Sequence, residues 1–418
     1  MESNSLHSSY MYKTKPKADI LASKYRATEE VSQCKCGSAK FIRGRVFSVL
    51  FCILGFGLTI YLSSRLGILI EGFAGLDLQL AIFLILTVFC TYMLSYVNTH
   101  RENKKTQKLF NLCGIIFSFF PSTVICFFLF DLIRSLCGAS DGRLYLIPLL
   151  LAAVLSAYGF VHARKIFVKE YSIPIAASSK HQRSEVKAVL LSDIHTGSYV
   201  DRKQLHKIVD AVNRLQPDLV IMAGDTFDQD AFGHCDMDGV KAELQRLQSE
   251  GNVYAVLGNH DPDSSHKEVK EYFEEAGIHL LIDECAETED FLIVGRDDIL
   301  GNPARKGISE LFAGVDTEKP KIVIDHNPLG IEDAVKAGAA LILCGHTHKG
   351  QFFPATLFTK WAYGRRGFYG HFQTGETHSV VSSGTGYFQL PVRLGTNSEV
   401  VVLHIKLHGI GGGAGHLS

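Results

Sequence analysis

Four long apolar runs, at about 46–63, 80–97, 109–133 and 144–161, fill the first part of the chain and are almost free of charge. Each approaches the ~20 residues that carry a helix across a bilayer, where backbone groups must be bonded internally. Gly55, Gly57, Gly114 and Pro121 fall inside these runs, and membrane helices tolerate both residue types. Four such runs in succession argue against buried helices of a soluble domain. They predict a bundle of four transmembrane helices over 45–162, after a polar, basic tail at 1–44 with no cleavable signal.

Beyond a juxtamembrane linker at 163–185, the pattern shortens and begins to alternate. Strand-like runs are expected at 187–192, 218–223, 253–257, 291–294, 321–325, 340–344, 379–383 and 399–405. Helical spacing is expected over 202–215, with Leu205, Ile208, Val209 and Val212 on one face, and over 239–248 and 266–276. Strands alternating with helices predict α/β layers with a largely parallel core. The late strands lack intervening helices, which suggests antiparallel edges and two facing sheets. Residues 186–408 form this second unit, and the glycine-rich segment 409–418 reads as a flexible tail. No internal repeat is present.

Charge then orients the membrane half. Lys35, Lys40, Arg43 and Arg45 precede the first run, Arg101, Lys104, Lys105 and Lys108 follow the second, and Arg164, Lys165 and Lys169 follow the fourth. The other connections hold only Arg65, Arg134 and Arg143. The positive-inside rule places both ends, and the α/β half, on the cytoplasmic side of a plasma or inner membrane. Asp131 and Arg134 lie near the end of the third run and are read as interfacial, with anchoring as the default role of the helices. The net charge of −1 argues against a nucleic-acid partner drawn by bulk charge. The ten cysteines are scattered, several in apolar runs, which suggests buried free thiols. Cys34-x-Cys36 is a weak cue for metal binding or lipidation.

The chemistry is concentrated after the strand-like runs: Asp193-x-His195, Gly224-Asp225, Gly258-Asn259-His260-Asp261, His326 and Gly345-His346-Thr347-His348. Such ends are where an α/β sheet presents its loops, so distant residues can converge. Carboxylate, imidazole and amide oxygen together suit two divalent metal ions, Mn, Fe, Zn or a mixed pair. Cys344 points into the strand core, so a thiolate site is not indicated. A cation pair clamps a phosphate and lowers the pKa of a water between the ions. His195 or His326 alone reads as a structural histidine, and only the joint pattern argues otherwise. The same bland reading holds for His206, His234, His266, His279, His371 and His378, of which His371 is placed to reach the site.

The collinear order of these motifs resembles the calcineurin-like metallophosphoesterases over residues 187–406. Leu191–His195, Asp325-His326-Asn327-Pro328, Gly345–Gln351 and Gly384–Tyr387 are similar to the membrane-associated YkuE/YaeI-type branch. The resemblance implies a four-layer α/β/β/α sandwich. It implies Asp193, His195 and His348 on a first metal, Asp225 as the bridge, and Asn259, His326 and His346 on a second. It makes His260 the donor to the leaving oxygen, with Asp228 as the residue orienting it, although Asp230 and Asp261 also lie close in sequence. Residues 351–378 read as a long loop. Its aromatics could dip into the membrane interface, Arg365 and Arg366 could pair with a phosphate, or the loop could simply pack. Asn259, Arg365, Arg366 and His371 form the expected substrate-binding set. The expected activity is hydrolysis of phosphodiester or pyrophosphate bonds, of lipid-linked substrates in this setting. A phosphomonoesterase or protein phosphatase, a non-catalytic scaffold, and a transporter or sensor with a phosphoesterase domain are the alternatives.

Overall fold

The computed structural model describes residues 53–97, 112–177, 183–197, 199–228, 231–247, 252–262, 267–315 and 318–409. The tail at 1–44, the cysteines Cys34 and Cys36, the basic residues 101–108, Asp230, His266 and residues 410–418 lie outside them. Among the described residues, three helices are long and apolar enough to cross a membrane: α1 (Ile53–Ala74), α3 (Leu112–Cys137) and the last, which spans Gly142–Ala163 with its α-helical part, α4, at Leu146–Ala163. The expected second run forms α2 (Gln79–Val97), of which Gln79–Thr91 counts as a shorter apolar helix.

These helices meet around one polar knot. Asp131 on α3 accepts hydrogen bonds from Tyr61 Oη and Arg65 Nε of α1, at 2.6 and 2.7 Å, and from the Tyr145 hydroxyl just before α4. Leu62, Leu69, Phe127 and Tyr145 pack around it. Arg134 turns back onto its own helix end, donating to the carbonyls of Ala139 and Ser140 at 2.7 and 2.5 Å. Asp131 thus ties α1 and α3 to the segment before α4, and Arg134 closes the end of its own helix.

The second unit holds two six-stranded sheets. In chain order its main elements are β1 (Ile166–Ala177), β2 (Glu185–Leu191), α5 (Arg202–Arg214), β3 (Leu219–Ala223), α6 (Met237–Leu244), β4 (Val253–Val256), α7 (Lys267–Glu275), β5 (His279–Leu280), β6 (Glu284–Glu287), β7 (Leu292–Gly295), α8 (Ile308–Ala313), β8 (Lys321–Ile324), α9 (Ile331–Ala337), β9 (Leu341–Cys344), α10 (Ala355–Phe368), β10 (Gly370–Thr374), β11 (Thr377–Val381) and β12 (Ser398–Gly409). One sheet runs β1-β12-β2-β3-β4-β5 and the other β10-β11-β9-β8-β7-β6. Side chains alternate across each strand. Val186, Ala188 and Leu190 of β2 join Ile322 and Ile324 of β8 in a core shared by the sheets. Val189 and Leu191 face the other way, with Leu205, Ile208 and Val212 of α5. Val323 and Ile342 pack with Ile331 and Ala334 of α9. Burial on both faces explains why these strands read as continuous apolar runs. Each fully buried Ile or Leu contributes about 1.5–3 kcal/mol.

Two expectations need correction. The linker at 163–185 contains β1, a twelve-residue edge strand parallel to β12 throughout its length. Its burial alternates through Ile173, Ile175 and Ala177, while Lys169, Glu170 and Pro174 interrupt the apolar signal. The long loop at 351–378 contains α10 and β10. The α/β unit also meets the spans directly: Arg393 N donates to Gly159 O at 3.1 Å, and Ser398 Oγ donates to Ala163 O at 2.8 Å.

Candidate metal centre

Every expected ligand lies at or just beyond a strand end. Asp193 and His195 follow β2, Asp225 follows β3, Asn259 follows β4, His326 follows β8, and His346 and His348 follow β9. Turning the chain back within one or two residues takes an unusual backbone. Asp193, His195, Asp225, His346 and His348 all adopt positive φ, between 48° and 72°, a region costly for residues with a side chain and often kept where function needs it. Glycines make room for the acids. A Cβ on Gly258 would stand 2.2 Å from Asp225 Oδ1, and one on Gly345 would stand 2.4 Å from Asp193 Oδ2.

The side chains converge as two groups. Donor atoms of Asp193, His195 and His348 lie within 4.8 Å of one another, as do those of Asp225, His326 and His346. Asp225 joins the groups: its Oδ2 is 3.5 Å from His195 Nε2 and 3.2 Å from His326 Nε2. The outer atoms of the rings are fixed from behind. His195 Nδ1 donates to Asp228 Oδ1 at 3.0 Å, and His326 Nδ1 donates to Ala223 O at 2.8 Å, so each Nε2 faces the centre. His346 Nε2 is 2.8 Å from the Tyr363 hydroxyl, which leaves Nδ1 toward His326.

This donor set fits divalent cations. His195 Nε2 faces His348 Nε2 at 3.1 Å, and His326 Nε2 faces His346 Nδ1 at 3.3 Å. A proton on one ring of each pair can bridge that gap, and a cation in its place binds both nitrogens at once. Asn259 Oδ1 is buried and has no hydrogen-bond partner. A buried carbonyl in that condition is costly unless something else binds it.

Electrostatics follow the same grouping. Burial pushes the Asp225 carboxyl up, but His326 and then His195 outweigh it and hold Asp225 well below the usual range. Burial lowers His346 to about 3, with the neighbouring His326 adding to the effect. Burial also lowers His260 and His348. Asp261 is raised to about 7 by burial and then by the Asp225 charge. Its two oxygens accept from the backbone N–H of Gly258 and Phe227, both at 2.8 Å. Asp261 therefore shapes the turn that carries Asn259 and His260.

His260 stands at the rim. Its backbone N–H donates to Asp225 Oδ1 at 2.8 Å, and its ring lies 4.4 Å from that of Phe388 and 5.4 Å from that of His195. Where the expectation paired Asp228 with His260, the bond it makes is to His195, because β3 and β2 are neighbours and their end loops run side by side. His371 is placed elsewhere. It lies on β10, with Nε2 2.9 Å from His378 Nδ1 and its ring beside Tyr171. Arg365 and Arg366 are exposed at the end of α10.

Three residues escaped the sequence reading. Tyr363 contacts His346. Phe388 stacks over the rings of His195, His260 and His348. Arg393 is fully buried and donates to Ser383 O and Gly386 O at 2.7 and 2.6 Å, and to His348 O at 3.4 Å. Phe388 follows the Gly384–Tyr387 motif directly, so its position was readable. Arg393 had no motif to signal it.

Residues 186–350 match the family model for calcineurin-like phosphoesterases. That match takes in the candidate ligands from Asp193 to His348. The "transmembrane protein with metallophosphoesterase domain" of Danio rerio is 31% identical over 284 residues, 63% of this chain and 63% of that protein. An uncharacterized metallophosphoesterase of Helicobacter pylori is 30% identical over 229 residues, 53% of this chain and 60% of that protein. The uncharacterized metallophosphoesterase YkuE of Bacillus subtilis is 28% identical over 231 residues, 53% of this chain and 79% of that protein. The match spans less than two thirds of the length of the first two.

Proposed function

We propose that the protein is a membrane-anchored phosphohydrolase with two divalent metal ions, cleaving phosphodiester or pyrophosphate bonds of lipid-linked molecules. One observation carries this reading: a single carboxylate oxygen of Asp225 stands between the imidazoles of two separate ligand groups. Asp193, His195 and His348 hold one cation, and Asn259, His326 and His346 the other, with Asp225 shared. Bound there, a cation pair would supply Lewis-acid polarisation of a phosphoryl group and a water of lowered pKa. The chain's own groups do the rest. Asp228 and the Ala223 carbonyl fix the tautomers of His195 and His326. Asn259 faces the phosphoryl oxygens, Phe388 screens one side of the site from water, and His260 donates a proton or hydrogen bond to the leaving oxygen. Arg365 and Arg366 meet the distal part of the substrate.

The same reading takes α2 as a fourth span, both ends of the chain as cytoplasmic, and the α/β unit as a four-layer α/β/β/α sandwich. It places the protein in a plasma or inner membrane. The catalytic unit then begins at β1, since that strand completes the first sheet. Lipid linkage is supported by the direct bonds between the α/β unit and the ends of the spans. The test is full-length protein in detergent, loaded with manganese. It should bind two metals per chain and hydrolyse lipid phosphodiesters and nucleoside diphosphate lipids faster than phosphomonoesters or phosphopeptides. A preference for monoesters or phosphopeptides would sink the diester reading and favour a phosphatase.

A further inference from the structure

We propose that α10 seats one face in the headgroup region of the bilayer that holds the spans, so that the partner of this surface is the membrane itself. Trp361 is 79% exposed, Leu357 60% and Phe358 50%. With 3.6 residues per turn, the three share an arc of ~100°, and Thr359 and Tyr363 lie on the opposite side. Phe353 extends the patch at the helix start and is 51% exposed. A cluster of large apolar side chains facing water marks an interaction surface. Lys360, Arg365 and Arg366 are exposed on the same helix. Cations beside a Trp, Phe and Leu face are the composition of a helix that lies in an anionic membrane interface.

The neighbourhood fixes which surface covers it. Phe352 and Phe353 line a crevice with Ser118, Pro121 and Ser122 of α3. Ser118 lies six residues past Leu112, the first described residue of its span, or ~9 Å along the helix axis. Arg393 bonds Gly159, four residues before α4 ends at Ala163, or ~6 Å inside. The α/β unit therefore meets the spans within their ends, and the helix that starts at this contact lies at headgroup depth. Its other face carries Tyr363, whose hydroxyl is 2.8 Å from His346 Nε2. Seating in lipid thus holds a wall of the candidate metal centre in place.

The inference rests on the reading that the apolar helices span a bilayer, and its test reads depth, not turnover. Trp361 is the sole tryptophan in the chain, so its fluorescence reports on this face alone. Full-length protein is reconstituted into phosphatidylcholine vesicles, with and without anionic lipid and with brominated chains. Trp361 emission should shift to the blue, resist acrylamide, and lose most of its intensity to bromines placed near the headgroup. The double variant Trp361→Phe with Leu357→Trp should reproduce that quenching, while circular dichroism and metal content report that it is folded. Emission open to acrylamide and untouched by bromine would overturn the proposal. So would emission shielded from acrylamide but not quenched by bromine, since a protein would then cover the face. Active enzyme with an unquenched Trp361 would leave the phosphohydrolase reading standing and remove this one.

Discussion

The molecule holds two acids at the centre of polar clusters, Asp131 partly exposed and Asp225 buried, and they are used differently. Asp131, among the membrane helices, has both oxygens occupied by Tyr61, Arg65 and Tyr145. Asp225, at the end of β3, is surrounded by imidazoles whose inward nitrogens face one another, and Asn259 Oδ1 beside it has no partner. The first cluster is closed at its carboxylate, since both oxygens meet donors. The second is incomplete, since the buried Asn259 Oδ1 meets no donor. A saturated polar cluster fixes the register of the elements it joins. An unsaturated one, held by strained backbone, is built to receive something.

The difference can be broken most severely at Asp225. Asp225→Asn should lower kcat by ~10³-fold or more, because the cation pair supplies several kcal/mol and each 1.36 kcal/mol is a factor of ten. Metal analysis of the same protein should show less than the full pair; an unchanged kcat would refute the shared-ligand assignment. His260→Ala should cost ~10²–10⁴-fold in kcat, the usual worth of a positioned proton donor, with metal content intact. Loss of metal from that variant would make His260 a ligand. Asp228→Asn acts through His195 and should weaken metal binding ~10–100-fold, read by titration with a competing chelator. An affinity equal to wild type would show the contact with His195 to be incidental.

At the closed cluster, Asp131→Asn should lower the stability of the membrane half by about 1–3 kcal/mol, as expected for buried partners left unsatisfied. Thermal unfolding in detergent measures this, and metal affinity should not move; a change in metal affinity would join the two clusters. The smallest effect belongs to a solvent-side cluster. Burial pushes Glu243 up, but its bonds to Arg246, His206 and Arg202 outweigh that and depress it. Its stabilisation is present above the ordinary Glu pKa of about 4.3 and is lost as pH falls through the lower folded value. Its partners are half exposed, so the amount is below about 1 kcal/mol. Unfolding of Glu243→Gln against wild type over that acid range should show the difference shrinking; a constant difference would rule the charge out.

The candidate ligands stood out in the sequence because each sits where an apolar strand stops, and the strand signal is strong when both faces are buried. What the ligands lean on was harder to read. Asp228, Asp230 and Asp261 were indistinguishable by spacing, and only the adjacency of β2 and β3 assigns Asp228 to His195. Helix α10 was hidden because its apolar residues face outward and Gly364, at φ 66°, interrupts its helical backbone. β1 was hidden because an edge strand needs only one strand neighbour and keeps half its side chains in water. Tyr363 and Arg393 act through tertiary contacts with partners far along the chain, which no local pattern encodes.

Arg393 belongs to two parts of the molecule at once. Its main chain is fastened to Gly159 in the last span, and its guanidinium holds the carbonyls beneath His348. Together with β1, which leaves the membrane and immediately becomes the rim of a sheet, this makes the familiar cut between anchor and soluble enzyme a poor one. A truncation starting after the last span but past β1 would expose β12 as a raw edge and loosen the floor of the active centre, so such a fragment would measure the damage of its own excision.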